Sequence, residues 1–239
     1  MKHINLILLL IFFITIPALA YEVYNYSQYK YQDNSQNLLF IIDFSNSMGE
    51  YLGHKTKIST VKKTLMDILP EISKETNTGI RVYGHNCNIF AFNACRNSEL
   101  LVPIQKNSHV QLNNAISKLR PRGMTPITYS LKQAIKKDFN NINGNKHIIL
   151  LTDGGENCDE SPCDYAISLI KERKDINIDV IAFNVENEND LAQLQCTAEV
   201  TSGKFINATT NAELFNSMQE LIKPHLEVEA ILYNKFMLQ

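Results

Sequence analysis

Two stretches of the chain are apolar at every position, and each runs into an aspartate loop. Leu38-Leu39-Phe40-Ile41-Ile42 ends on Asp43, and Ile148-Ile149-Leu150-Leu151, led by His147, ends on Thr152-Asp153. A strand with one wet face alternates, whereas an unbroken apolar run suits a strand covered on both faces. These runs are the expected central strands of a sheet clothed by helices on both sides. Ile80-Arg81-Val82-Tyr83, Leu100-Leu101-Val102 before Pro103, Ile178 to Val185, and Lys204-Phe205-Ile206 read as four more strands. Helical spacing appears at Ile58, Val61, Leu65 and Ile68, with Pro70 near the end. It recurs at Leu112, Ala115, Ile116 and Leu119, where Ser108 is placed to cap. Ile127, Leu131, Ala134 and Ile135 predict a helix opening near Pro126, and Tyr165 to Ile170 another. Leu191, Leu194 and Ala198 mark a helix closed by Gly203, and Leu214, Met218, Leu221 and Ile222 a last one. Strands alternating with helices predict an α/β fold: a doubly wound, mostly parallel six-stranded sheet. The joint from Tyr83 to Leu100 lacks helical period, so that strand pair is expected to form one antiparallel edge.

The chain ends read differently. Met1-Lys2-His3 is a short basic start, Ile4 to Ile16 is almost wholly apolar, and Pro17-Ala18-Leu19-Ala20 offers small residues for a cut after Ala20. That is the pattern of a secretory signal peptide. The rival reading is a membrane anchor, but thirteen helical residues span only about 20 Å of a hydrocarbon core of roughly 30 Å. The expected division is signal peptide 1–20, a Tyr-rich leader 21–36, a domain 37–225 and a tail 226–239. No second apolar run reaches the length of a membrane span. The expectation is an exported protein, periplasmic or secreted, with no membrane span after cleavage.

Composition narrows the class without naming it. The 239 residues are 44% hydrophobic and 20% charged, which is globular rather than disordered. Lys and Arg number 23 against 25 Asp and Glu, so no basic footprint for nucleic acid exists. Export makes Cys87, Cys95, Cys158, Cys163 and Cys196 available for disulfides. Cys87 with Cys95 and Cys158 with Cys163 each read as lying in a short polar loop, and closing the latter is worth about 2 kcal/mol. Connectivity stays open. Zinc is the alternative, disfavoured because C-x-x-C spacing is missing. Arg81, Lys62, Lys63, Lys136, Lys137 and the run from Lys171 to Lys174 read as solvated faces.

In an open α/β sheet the ligand site lies beyond the carboxyl ends of the strands, where strand order reverses. Both central strands lead there into Asp-bearing loops. Asp43-Phe44-Ser45-Asn46-Ser47 puts three oxygen side chains on alternate residues of a turn. Thr152-Asp153-Gly154-Gly155 is the second loop, and Gly123-Met124-Thr125-Pro126 opens a helix as a third. Alone, Asp-x-Ser-x-Ser is ordinary turn and capping chemistry. Converging, Asp43, Ser45, Ser47, Thr125 and Asp153 suit a hard divalent cation, Mg²⁺ first, with Mn²⁺ and Ca²⁺ sharing the chemistry. Two carboxylates balance a 2+ ion and leave room for a carboxylate from outside.

These segments resemble those of a von Willebrand factor type A domain. Phe40 to Met48 is similar to the family's first strand and metal loop, Gly123 to Pro126 to its Thr loop, and Leu150 to Gly154 to its Asp loop. The likeness covers about Asn37 to Lys223. Arg81 to His85, Glu99 to Pro103, Cys158 to Cys163 and Leu194 to Cys196 resemble exported bacterial members related to calcium-activated chloride channel proteins. The resemblance implies a metal-ion-dependent adhesion site. In it Ser45 and Ser47 touch the metal, Thr125 and Asp153 bind directly or through water, and Asp43 acts largely through water. It implies a non-enzymatic module whose partner is a protein presenting a carboxylate. Asn46 departs from the pattern, since many members carry Gly there.

Two other readings compete. A metal-dependent hydrolase would use the same ion as a Lewis acid, with Glu50, His54 and Glu156 as the nearest candidate bases. A scaffold with a vestigial metal site is the second. No G-x-S-x-G elbow or phosphate loop occurs. His85 at a strand end and His147 at a strand start should lie on opposite rims, against a catalytic triad.

Overall fold

The structure is a computed structural model that describes residues 35–86 and 94–223. The expected signal peptide, residues 21–34 of the leader, Cys87 and the tail lie outside these residues. The elements in chain order are β1 (Gln36–Asp43), β2 (Tyr51–Leu52), β3 (Lys55–Thr56), α1 (Lys57–Ile68), β4 (Asn77–Tyr83) and β5 (Ser98–Gln105). Then come α2 (His109–Ser117), α3 (Ile127–Gln133), β6 (Asn145–Thr152), α4 (Pro162–Glu172), β7 (Ile176–Phe183), α5 (Glu188–Val200), β8 (Phe205–Ala208) and α6 (211–223). Among the described residues no helix is long and apolar enough to cross a membrane.

Six strands form one sheet in the order β5-β4-β1-β6-β7-β8. All neighbours are parallel except β4 and β5. The fold is therefore the expected α/β sheet with one antiparallel edge. The two unbroken apolar runs, β1 and β6, are adjacent and central. Their side chains alternate between two cores. Leu38, Phe40 and Ile42 pack with α1, α2 and α6, while Leu39 and Ile41 pack with α3, α4 and α5. Both faces are dry, which is why the sequence shows no polar alternation here.

Several sequence expectations change in three dimensions. The strand at Leu100 continues through Pro103 to Gln105. An edge strand tolerates a residue with no N–H, and β5 is the sheet edge. Ser108 does not cap α2 with its side chain; its Oγ donates to the Thr78 carbonyl at 2.5 Å and ties the helix start to β4. Arg81 is not a solvated residue. Its side chain is turned under the extension of α3, and it is 4% exposed. Nε and Nη2 donate to the two oxygens of Asp138 at 2.6 and 2.7 Å, and Nη1 donates to Ser98 Oγ at 3.0 Å. Asp138 closes a wide helical turn, Ala134–Asp138, that extends α3. His85 and His147 do sit on opposite rims: His85 follows the end of β4, and His147 lies near the start of β6, bonded to Asp179 at 2.6 Å.

Removing one partner of a buried ion pair strands the other charge. Asp138→Ala should therefore lower stability by about 3–5 kcal/mol, read as a fall in denaturation midpoint. The paired change Arg81→Met with Asp138→Leu should recover most of that loss.

Candidate metal centre

The parallel pairing of β1 with β6 sets Ile42 opposite Leu151, so both strands deliver their loops to the same edge of the sheet. Asp43 and Thr152 then stand side by side, and Thr152 Oγ1 donates to Asp43 Oδ2 at 2.8 Å. The backbone N–H of Ser45 donates to Asp43 Oδ1 at 2.6 Å. That turn uses the Asp43 carboxylate, as ordinary Asx chemistry would. It does not use the serines. Ser45 occupies the cap of the short 3₁₀ turn Asn46–Gly49 without a side-chain cap bond. Ser45 Oγ instead lies 3.1 Å from Ser47 Oγ, and Ser47 Oγ donates to Asp153 Oδ1 at 2.7 Å. Hydroxyls spared from capping and turned toward a carboxylate of another loop form a convergent oxygen set.

The Thr125 loop is fastened to the first loop by backbone. Ser45 and Gly123 form a parallel bridge, with the Asn46 N–H donating to the Gly123 carbonyl at 3.0 Å. The Arg122 N–H donates to both Phe44 and Gly84 carbonyls, at 3.1 and 3.0 Å. Gly84 makes this approach possible. Its φ is +70°, and a Cβ there would fall 2.6 Å from Ser45 N and 2.8 Å from the Met124 carbonyl. Thr125 itself is buried, and its N–H donates to Asn157 Oδ1 at 2.7 Å. The structure thus gathers Asp43, Ser45, Ser47 and Asp153 into one hydrogen-bonded group. It anchors the Thr125 loop against that group through the bridge from Gly123 to Ser45.

Electrostatics mark the group as one that wants a cation. Asp43 is fully buried, and burial together with the nearby Asp153 charge pushes its carboxyl up to about 7. The Ser45 and Thr152 bonds pull the other way without prevailing. The Lys57 ammonium donates to Asp153 Oδ2 at 2.9 Å and to Glu50 Oε2 at 3.2 Å. Burial works against that ammonium, but Asp153 and Glu50 hold it above its ordinary range. Oxygen donors alone, two of them carboxylates, fit a hard divalent ion. Among the described residues no cluster of three or more His, Cys, Asp or Glu side chains is placed to hold a metal ion, so the hydroxyls are needed to complete this set.

Residues beyond the predicted five complete the rim. Glu156 reaches the N-terminus of α3, accepting from the Thr128 N–H at 2.7 Å and from the Cys158 N–H at 3.0 Å. Burial raises its carboxyl nonetheless. A disulfide joins Cys95 to Cys158, tying the segment before β5 to the loop after Asp153. A second joins Cys163 to Cys196 and staples α4 to α5. Cys163 is thus in a helix, not in a loop with Cys158, because α4 starts at Pro162. Asn46 needs no special backbone: the described non-glycine residues with positive φ are Asn107, Asn141, Asp159, Asn184 and Ser202. Lys57 and Asn157 carry no sequence signal, and Glu156 reads only as a candidate base, since each acts through a contact that only the fold creates.

A carboxyl raised by folding favours the folded state below its unfolded value and loses that advantage as pH rises through its folded value. For Asp43 that window runs from 3.8 to about 7. In EDTA, the melting temperature of wild type should fall relative to Asp43→Asn across this window. A constant difference between the two would show that Asp43 titrates as an ordinary carboxylate.

The von Willebrand factor type A domain model matches residues 37–223. The Bacillus subtilis (strain 168) protein YwmD is 28% identical over 182 residues, spanning 74% of this chain and 80% of YwmD. YwmC of the same organism is 27% identical over 223 residues, spanning 89% of this chain and 93% of YwmC. Among solved structures, proximal thread matrix protein 1 of the mussel byssus with a zinc-occupied MIDAS motif superposes with a TM-score of 0.56 at 18% identity. That match covers 82% of this chain and 46% of the mussel chain. With a model matched from the first residues of β1 to the end of α6, the chain belongs to the von Willebrand factor type A domain family.

Proposed function

We propose that this protein is an exported binding module that grips a carboxylate of a protein ligand through a divalent cation. Family membership supports the coarser part: domains of this family are generally interaction modules, and their adhesion site implies a divalent cation. The observation that carries the reading is the convergence of Ser45, Ser47 and Asp153 oxygens, at 2.7 to 3.1 Å, from loops that are 106 residues apart in the chain. Ser45, Ser47 and Asp153 would hold the ion, with Thr125 and Asp43 completing the set directly or through water. The bound ion supplies a Lewis-acidic position open to an outside oxygen. The hard oxygen donors favour Mg²⁺, with Mn²⁺ close behind. The zinc in the mussel protein's MIDAS motif marks the same motif as a cation site in that relative.

The chain's own residues do the preparatory work. Thr152 and the Ser45 N–H orient Asp43. Glu156 and Asn157 fix the α3 start and the Thr125 loop. Two of the three candidate general bases of the hydrolase reading are engaged elsewhere: Glu156 caps α3, and Glu50 pairs with Lys57. Two disulfides suit an oxidising compartment, which supports export.

The test begins with stability. A ligand that binds only the native state stabilises it, by about 2.7 kcal/mol at a hundred times its Kd. Mg²⁺ should raise the melting temperature of wild type relative to EDTA and leave Ser45→Ala and Asp153→Ala unmoved. Affinity capture from the cell envelope and culture fluid should retain a partner with wild type in Mg²⁺ only. Neither EDTA nor Asp43→Ala bait should retain it. A melt indifferent to Mg²⁺ and Mn²⁺ would return the vestigial-site reading, and equal capture under all conditions would move the interface elsewhere.

A further inference from the structure

A cation of the protein's own stands among the proposed metal loops. Lys57 is 6% exposed, and its ammonium lies 2.9 Å from Asp153 and 3.2 Å from Glu50. Asp153 divides its oxygens: Oδ1 accepts from Ser47, on the side of the hydroxyl group, while Oδ2 holds Lys57. The location is costly for a lysine. Lys57 is the first residue of α1, where the helix dipole repels a positive charge, and the first turn has no acidic residue to offset it. Burial adds to that cost. The chain nevertheless fixes it there. The β2–β3 hairpin folds back so that the Lys57 N–H donates to the Glu50 carbonyl at 2.9 Å, which keeps Glu50 beside Lys57. Glu50 is different in kind from Asp153: its side chain is 67% exposed, against 0% for Asp153.

Charge decides what this arrangement does. Asp43 and Asp153 bring two negatives, and a divalent ion alone would neutralise them. Counted over the buried groups Asp43, Asp153 and Lys57, the loaded site carries one net positive charge, with only the exposed Glu50 outside it to screen the ammonium. We infer that Lys57 is a built-in counter-cation of the metal loops. It competes with the divalent ion for Asp153, and it leaves the loaded site one positive charge that an anionic ligand completes. Glu50 is the second seat to which the ammonium moves when the metal takes Asp153. The ion by itself then binds weakly, and ion and carboxylate ligand bind each other's complex more tightly. This rests on the metal-site reading above and adds what sets its affinity and its preference for anions.

The test is a titration with Mn²⁺ alone, reading free ion by electron paramagnetic resonance, and then with acetate as the carboxylate probe. Lys57→Met should bind Mn²⁺ at least about tenfold more tightly than wild type, because one repelling charge within a few ångströms has gone. Acetate should tighten Mn²⁺ binding in wild type and do so less in Lys57→Met. Lys57→Arg, which keeps the charge, should follow wild type. Glu50→Gln, a change at an exposed side chain, should weaken Mn²⁺ binding in wild type and have no effect in the Lys57→Met background. Melts in EDTA show which variants are folded. Equal or weaker Mn²⁺ binding by folded Lys57→Met overturns the inference, as does unchanged binding by folded Glu50→Gln. A wild type that binds no Mn²⁺ overturns the metal-site reading itself, a distinguishable failure.

Discussion

The in-register parallel pairing of β1 with β6 is the constraint on which the rest of the site depends. Both strands are apolar on two faces, so they are driven to the middle of the sheet and covered by helices on each side. Running parallel, they must end at the same edge. That places Asp43 and the Thr152-Asp153 step beside each other although 109 residues separate Asp43 from its partner Thr152. A slip of one residue would exchange the two cores along either strand and separate the pair. The hydrophobic effect therefore fixes, at a distance, the geometry of a polar site.

What the sheet edge gathers is short of charge compensation. Two buried carboxylates stand near each other, and burial, with the Asp153 charge, holds that of Asp43 well above its usual range. The hydroxyls of Ser45 and Ser47 add oxygen without adding charge. Lys57 supplies partial relief from the other side of Asp153. A site so built favours cations, and on the proposal above its net charge after loading selects the next ligand.

The loops that hold these groups are irregular, and their order comes from cross-bracing. Gly84 lets the Thr125 loop approach the Ser45 backbone, where any side chain would collide. The Cys95–Cys158 disulfide and the Glu156 cap tie the far side of the same rim to α3 and to the β4–β5 connection. Cross-linking a loop of this size contributes on the order of 4 kcal/mol in the chain-entropy model, by restricting the unfolded chain. A rim fixed this way presents its oxygens without an ordering cost at the moment of binding.

By itself the sequence determined the sheet's two central strands and the antiparallel edge, and it named the five oxygen-bearing residues of the proposed site. Each of these is written in local patterns: unbroken apolar runs, a joint without helical period, and Asp-x-Ser-x-Ser spacing. Only the tertiary structure decided which groups meet across elements. Arg81 reads as a surface charge because nothing local reveals that α3 will cover its face of β4 and bring Asp138 to it. Cys163 reads as a loop partner of Cys158 until α4 begins at Pro162 and turns it toward Cys196. Lys57 reads as one lysine among several until a hairpin and a helix start carry it to Asp153, 96 residues away. Periodicity reports burial along one element. It carries no information about the partner that a buried charge will find, which is a matter of packing between elements.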